Sequence, residues 1–480
     1  MTNTSKPAAG KRRHRGLLAN WFDPQPGTML SPGADFLMAG GASLIFYAFL
    51  LPFGSSFIEL AYWAAALYFA AFIVNYPHFA ASYQLLYQDL RSYFVLRHKH
   101  VMFSLRLWWA GIIVPIVLIG YFFFFLYVDS PTALGFLVNV MLFTVGWHYV
   151  KQVFGCTVVL SAAKNIYYTK WERYALLAPL YLLWLFQYAR VNVDIGTQIY
   201  FGVPYTSLGV PHSLYVILAT GLSLGLITLV VVLGRKFYQY GRLAPTAALA
   251  AFVSVFVWFH PAITSIYFLA IVPLFHSLQY LLFVAAYKKN EALTATDTTH
   301  QPQQKNVRQL TLILTALFIV TPIIVILIAV NRGLTGRLET VLQTYVAHFS
   351  GSTYEVIAYG LLATAGVVTL LLFRQLLSRY APLVFITTFV LQMVVIGALL
   401  FGIIPAVLDT LVLYERLPWF FNYDVSVYGA TLYLFFFTVF VNIHHFFIDN
   451  VIWRRDNPKV RQFLYAHPAE QFELDGKLPS

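Results

Sequence analysis

At 480 residues, with 59% hydrophobic and 10% charged side chains, the chain lacks the polar surface of a soluble protein, in which about a quarter of residues are charged. Its net charge of +12 does not mark a nucleic-acid partner, because the cations fall between long apolar runs instead of forming one basic face. A single cysteine, Cys156, excludes a disulfide framework and a cysteine-based metal site.

The N-terminal tail, 1–35, carries Lys11-Arg12-Arg13-His14-Arg15, which resembles the charged start of a signal peptide. The apolar run begins only at Phe36, however, and continues as a full span, so the tail reads as retained. From there, runs long enough to cross a hydrocarbon core of about 30 Å as helices recur as far as Trp453. The expected spans lie near 36–53, 57–80, 101–127, 132–160, 172–188, 213–234, 244–260, 262–287, 310–330, 354–373, 382–404 and 426–452. Tyr and Trp gather at the ends of many of them, as in interfacial belts. The short alternating segments of a transmembrane barrel are absent. The expected fold is all-α: a polytopic integral membrane protein of about twelve transmembrane helices.

Charge sets the expected orientation. With the N-terminus inside, the loops bearing Arg97 and Lys99, Lys164 and Lys170, Arg235 and Arg242, Lys288 and Lys305, and Arg374 and Arg379 all face the cytoplasm. Outside remain only Arg190, Arg332, Arg337 and Arg416. Cytoplasmic loops are enriched in Lys and Arg, so both termini are expected in the cytoplasm and the chain in a bacterial inner membrane. The polar stretch 288–309 reads as a cytoplasmic linker between a first membrane part of eight spans (36–287) and a second of four (310–452), followed by the tail 453–480. Outer segments 189–212, 331–353 and 405–425 exceed ordinary turns and are expected to form short interfacial helices or caps.

Four separated spans each carry a histidine with polar residues about one helical turn away. They read Asn75-Tyr76-Pro77-His78 with Ser82, His148-Tyr149-Val150-Lys151-Gln152, His276-Ser277-Leu278-Gln279-Tyr280, and Asn442-Ile443-His444-His445 with Asp449. Residues three and four apart share a helix face, so each His is expected to lie over its own polar partners. Under the charge-derived topology all four fall in the inner half of the bilayer. One shared depth is what a single buried site requires. A lone intramembrane His also serves as an interhelical hydrogen-bonding group, Lys151 is long enough to snorkel, and Ser and Gln often act as packing glue. Pro77 and Pro273 lie beside the same layer, where freed carbonyls would need partners from the interior.

Imidazole is the commonest biological metal ligand and suits iron, copper and zinc. The expected metal ligands are His78, His148, His276 and His445, with His444 as the alternative from the last span. Asp449 is expected behind His445, accepting the N–H that faces away from the ion. Lys151, one turn from His148, and Tyr280 are the candidate catalytic side chains. The His-x-x-His-His and His-x-x-x-His boxes of membrane desaturases and hydroxylases are missing.

The stretch Tyr267-Phe268-Leu269-Ala270-Ile271-Val272-Pro273-Leu274-Phe275-His276-Ser277-Leu278-Gln279-Tyr280 resembles the His-Ser-x-x-His region of the membrane-bound bacterial β-carotene dioxygenases, the bacteriorhodopsin-related protein family. The resemblance implies a polytopic fold, histidine-ligated iron and cleavage of a long polyene, with His276 as a ligand. The chain departs from that pattern where Tyr280 stands in place of the second His. The expected function is a histidine-ligated, metal-dependent membrane oxidoreductase, oxygenase-like, acting on a lipid or polyene substrate, with iron as the expected ion. Two alternatives stand beside it: a proton-coupled transporter using intramembrane His, Lys and Asp, and a haem- or pigment-binding membrane subunit.

Overall fold

Wherever the structure describes them, the apolar runs are helical. The structure is a computed structural model describing residues 21–50, 74–88, 101–260, 266–296, 381–454 and 456–465. Residues 57–73 of the second expected span, the spans 310–330 and 354–373, the outer segment 331–353 and most of the expected linker lie outside the described residues.

In chain order the longer helices are α1 (Pro32–Phe36, a π turn at Leu37–Gly41, then Ala42–Leu50), α2 (74–87), α3 (Val101–Tyr127) and α4 (Pro131–Ala163). They continue with α5 (Lys170–Arg190), α6 (His212–Tyr240), α7 (Thr246–Trp258) and α8 (Ile266–Thr296). The last two are α9 (Ala381–Ala398, a π turn at Leu399–Ile403, then Ile404–Leu413) and α10 (Leu432–Ile452). Among the described residues, α3, α4, α6, the stretch Thr388–Leu413 of α9, and α10 are five helices long and apolar enough to cross a membrane. This is an all-α membrane protein.

Local chemistry explains several boundaries. Ser31 caps α1 by accepting the Ala34 N–H at 3.3 Å, with Pro32 following. Thr169 and Glu172 form a capping box at α5, with Glu172 Oε2 accepting the Thr169 N–H at 2.7 Å. Gly241, at φ 65°, ends α6 in the left-handed conformation.

The structure differs from the expected segments at four places. The outer segment 189–212 folds as an antiparallel hairpin of strands Thr197–Tyr200 and Val203–Thr206 instead of an interfacial helix. Its tip is Phe201-Gly202, both at positive φ (47° and 83°), which matches the right-handed twist of two strands joined by a two-residue turn. The span expected at 382–404 does not stop there, because the π turn at Leu399–Ile403 absorbs the irregularity and the helix runs on to Leu413. The last span begins at Leu432 and not 426, since Asp424 caps a separate short turn, Val425–Tyr428. Helix α8 also continues through Thr296, into the segment read as a linker.

Close approaches hold the bundle together. Gly40 has φ 158°, and a Cβ there would lie 2.5 Å from the carbonyl oxygen of Ala250, so glycine is what lets α1 meet α7. Val150 and Val153 of α4, Trp258 of α7 and Leu281 of α8 are fully enclosed in one apolar core. A second core joins α3 and α10 through the stacked rings of Phe122 and Phe436, 4.0 Å between centroids. The N-terminus of α10 is fixed by the buried carboxylate of Asp409. Its Oδ1 accepts the Tyr433 N–H at 2.8 Å and the Tyr423 hydroxyl at 2.9 Å, and Oδ2 accepts the Leu434 N–H at 3.0 Å. An acceptor at a helix start satisfies donors that the helix cannot, which stabilises it by about 1 kcal/mol.

Candidate metal centre

Four helices distant in sequence each deliver one imidazole to the same place. His78 comes from α2, His148 from α4, His276 from α8 and His445 from α10, and all four are buried. The Nε2 atoms of His78 and His445 lie 2.8 Å apart, and those of His148 and His276 lie 3.1 Å apart. Asp449 Oδ2 completes the contact, 3.0 Å from His445 Nε2 and 3.7 Å from His148 Nε2.

These atoms form two overlapping triads. His78, His276 and His445 make one, and His148, His445 and Asp449 the other, each with its ligand atoms within 4.8 Å of one another. At metal–ligand distances of about 2.0–2.2 Å, adjacent ligands on one ion stand about 3 Å apart and opposite ones about 4.2 Å. The observed separations are of that size. Either triad could hold a cation by three atoms, and His445 is common to both.

Hydrogen bonds behind the rings orient them. His78 Nδ1 lies 2.9 Å from the Asn75 carbonyl oxygen, which can only accept, so the proton sits on Nδ1 and the Nε2 lone pair faces the cluster. Ser277 Oγ, 3.0 Å from the same Nδ1, supports that orientation from α8. Gln152 of α4 donates to the His276 carbonyl at 2.9 Å, tying two ligand-bearing helices together. Ser82 Oγ donates to Asp449 Oδ1 at 2.9 Å, so its single proton is used and Tyr280 OH, 2.5 Å away, donates to Ser82. The result is a directed chain from Tyr280 through Ser82 to Asp449.

Three atoms at the centre stay unsatisfied: Asp449 Oδ2, His276 Nδ1 and His445 Nδ1 make no hydrogen bond among the described residues. Burying one unpartnered polar group costs about 1–3 kcal/mol, and more for a charged one. A buried carboxylate oxygen set among imidazole nitrogens is an arrangement that a cation would relieve.

The structure departs from the sequence-based expectations at four points. Asp449 does not stand behind His445; its Oδ2 meets Nε2, the nitrogen that faces the cluster, while Nδ1 is left without a partner. The reason is helical geometry, since a side chain one turn further on lies beside the ring and reaches the same side of it. His444 is outside the centre, with Nδ1 2.8 Å from Tyr83 OH and Nε2 2.8 Å from the Ala110 carbonyl. The polar residues within each stripe mostly serve a neighbouring helix: Ser277 supports His78 and Ser82 supports Asp449. Lys151 does not touch the imidazoles. It is half-buried, with Nζ 5.8 Å from the Phe154 ring centroid, on the wall of a cavity.

That cavity, of about 550 Å³, lies against the centre. His148, Asp449 and Tyr280 line it on one side, and Lys151, Arg173 and Arg454 also border it. Sequence reasoning missed the roles of Tyr83 and Trp453. Tyr83 carries the hydroxyl that occupies His444, and Trp453 packs edge-on against Tyr280 at 5.4 Å between centroids. Neither has a sequence signal, because aromatic residues occur throughout this chain.

The fold and site together define an all-α membrane protein in which a buried His/Asp cluster borders an internal cavity. Comparison with protein-family models, curated proteins and solved structures finds no match to the chain.

Proposed function

We propose that this protein is a metal-dependent membrane oxidoreductase, oxygenase-like, whose ion is held by His78, His148, His276 and His445 together with Asp449. The observation that carries this reading is Asp449 Oδ2, which makes no hydrogen bond among the described residues and lies 3.0 Å from His445 Nε2 and 3.7 Å from His148 Nε2. Four neutral nitrogens and one carboxylate oxygen suit iron, our first choice, and also manganese, zinc or copper. The adjoining cavity offers a lipid or polyene chain direct access to the ion, with dioxygen as oxidant. Tyr280 and Ser82 lead a proton to the carboxylate, which makes Tyr280 the better acid–base candidate, while Lys151 lines the cavity. Haem is disfavoured, since rings whose nitrogens stand 2.8 and 3.1 Å apart leave no slot for a macrocycle between them.

The same proposal places the chain in a bacterial inner membrane with twelve spans and both termini cytoplasmic, on the asymmetry of Lys and Arg between loops. Reporter fusions after Arg308 and at Ser480 should register cytoplasmic, and one near Arg337 external. A periplasmic signal from the C-terminal fusion would overturn the topology.

Elemental analysis of the purified protein tests the metal. About one equivalent of a transition metal is expected, lost in His445→Ala. A metal-free protein that turns over protons in vesicles would move the transporter reading ahead, with Tyr280, Ser82 and Asp449 as its relay.

A further inference from the structure

The cavity beside the metal centre has a gradient of charge and exposure along its wall. At the centre are the buried His148, Asp449 and Tyr280; half-buried Lys151 comes next; exposed Arg173 and Arg454 border it in solvent. The wall also carries the apolar Phe154, Phe283, Phe446 and Leu464, with Phe446 stacked on His148. Among the described residues Asp449 is the only acid on this wall, and it belongs to the proposed metal centre.

The cations are not neutralised by the protein to the same degree. Arg454 Nε has Asp456 Oδ1 at 3.6 Å, and Arg173 Nε donates to the Tyr168 carbonyl at 3.1 Å, which leaves the rest of each guanidinium available. Lys151 makes no hydrogen bond or ion pair among the described residues, and its Nζ lies 5.8 Å from the Phe154 ring centroid. A half-buried ammonium without an ion-pair partner, on one wall with two guanidinium groups, is stabilised by an anion. One imidazole and a carboxylate at the buried end, an apolar wall and exposed cations suit an amphiphile.

We infer that the cavity binds a single-chain amphiphile with an anionic head group, its carboxylate or phosphate held by Lys151, Arg173 and Arg454 and its chain lying along the apolar wall toward the metal centre. This rests on the proposed function only for the chemistry that follows binding. It selects an anionic lipid over an uncharged polyene. Arg supplies a planar fork that suits either head group, and Lys151, deeper in, acts as a point charge. The position of the head at the mouth would fix which carbon of the chain reaches the centre, so this cluster would set the position of oxidation.

The test is equilibrium binding of a fluorescent polyunsaturated fatty acid to the purified full-length protein in detergent. Displacement is then measured with the unlabelled acid, the alkyl phosphate and the uncharged alcohol of the same chain length. The acid, the phosphate or both should displace the probe, and the better of the two names the head group; the alcohol should be at least about tenfold weaker, the size of a lost charge-assisted hydrogen bond. Lys151→Gln and Arg454→Gln should each weaken the acid about tenfold and leave the alcohol unchanged, with weakening that fades in high salt for the exposed Arg454 but not for Lys151. Equal affinity for acid and alcohol, or no effect of either substitution, would overturn the inference. His78→Gln separates the two readings, because His78 does not line the cavity. It should lose metal and keep the probe. A protein that holds metal but prefers the alcohol keeps the proposed function and sinks the anionic head group.

Discussion

Two buried carboxylates in this protein have opposite surroundings. Asp409 accepts two backbone N–H groups and a tyrosine hydroxyl, and both of its oxygens are engaged. Asp449, on the same α10 that Asp409 caps, has one oxygen tied to Ser82 and the other turned among imidazoles without a hydrogen bond. The first is satisfied by the protein alone and acts on the helix start. The second leaves one oxygen without a hydrogen bond among the described residues, at a cost in stability. Burial is common to both acids; the completeness of their hydrogen bonding is what separates them.

The comparison breaks most sharply on the histidine that both triads share. His445→Ala removes the common atom, so the protein should lose stoichiometric metal, a drop in affinity of more than about 100-fold, read by elemental analysis after dialysis. Retention of a full equivalent would show that His445 is not a ligand. Asp449→Asn keeps the shape and removes the charge. It should lower metal affinity about 10–100-fold while making the metal-free protein equal or greater in thermal stability, because the unpartnered oxygen no longer carries charge. If Asp449→Asn instead destabilises the metal-free protein as much as Asp409→Asn does, the two carboxylates are alike and the contrast fails.

Asp409→Ala should act on the fold and not on the ion. Losing an N-terminal acceptor and leaving two buried N–H groups unmatched should cost about 1–3 kcal/mol, seen as a lower unfolding midpoint in detergent with metal stoichiometry unchanged. Ser277→Ala sharpens the comparison from behind the ring. Asn75 still orients His78, so the expected loss of metal affinity is about tenfold or less, by competition with a chelator. The smallest effect belongs to His444→Gln. With both nitrogens already hydrogen-bonded to Tyr83 and Ala110, it should leave metal binding within about twofold of the parent and change stability alone.

The histidines of the centre were legible because an ionisable side chain in an apolar run is conspicuous, and His78, His148, His276 and His445 each interrupt one. Which of the His444-His445 pair faces inward was not legible. Adjacent residues differ by about 100° around a helix, and only the positions of α2 and α3 relative to α10 settle the choice. Tyr83 and Ala110 claim His444, and His78 claims His445. The placement of Asp449 was misjudged for a similar reason: helical spacing says that it shares a face with His445 but not which ring nitrogen its oxygen meets.

The sequence by itself determined that this chain is helical and built for a membrane, because hydrophobic length and charge between runs are properties of each segment taken alone. It also singled out four imidazoles, since polar groups in apolar helices stand out one at a time. The hairpin at Thr197–Thr206, the continuation of α9 to Leu413 and the exclusion of His444 were decided only by tertiary structure. So was the turning of Asp449 into the centre, and so was the cavity that brings Lys151, Arg173 and Arg454 to one wall. Each of these depends on what one helix presents to another, and a hydrogen bond or an ion site between helices is a relation among residues hundreds apart, such as His78 and His445, that no local pattern encodes.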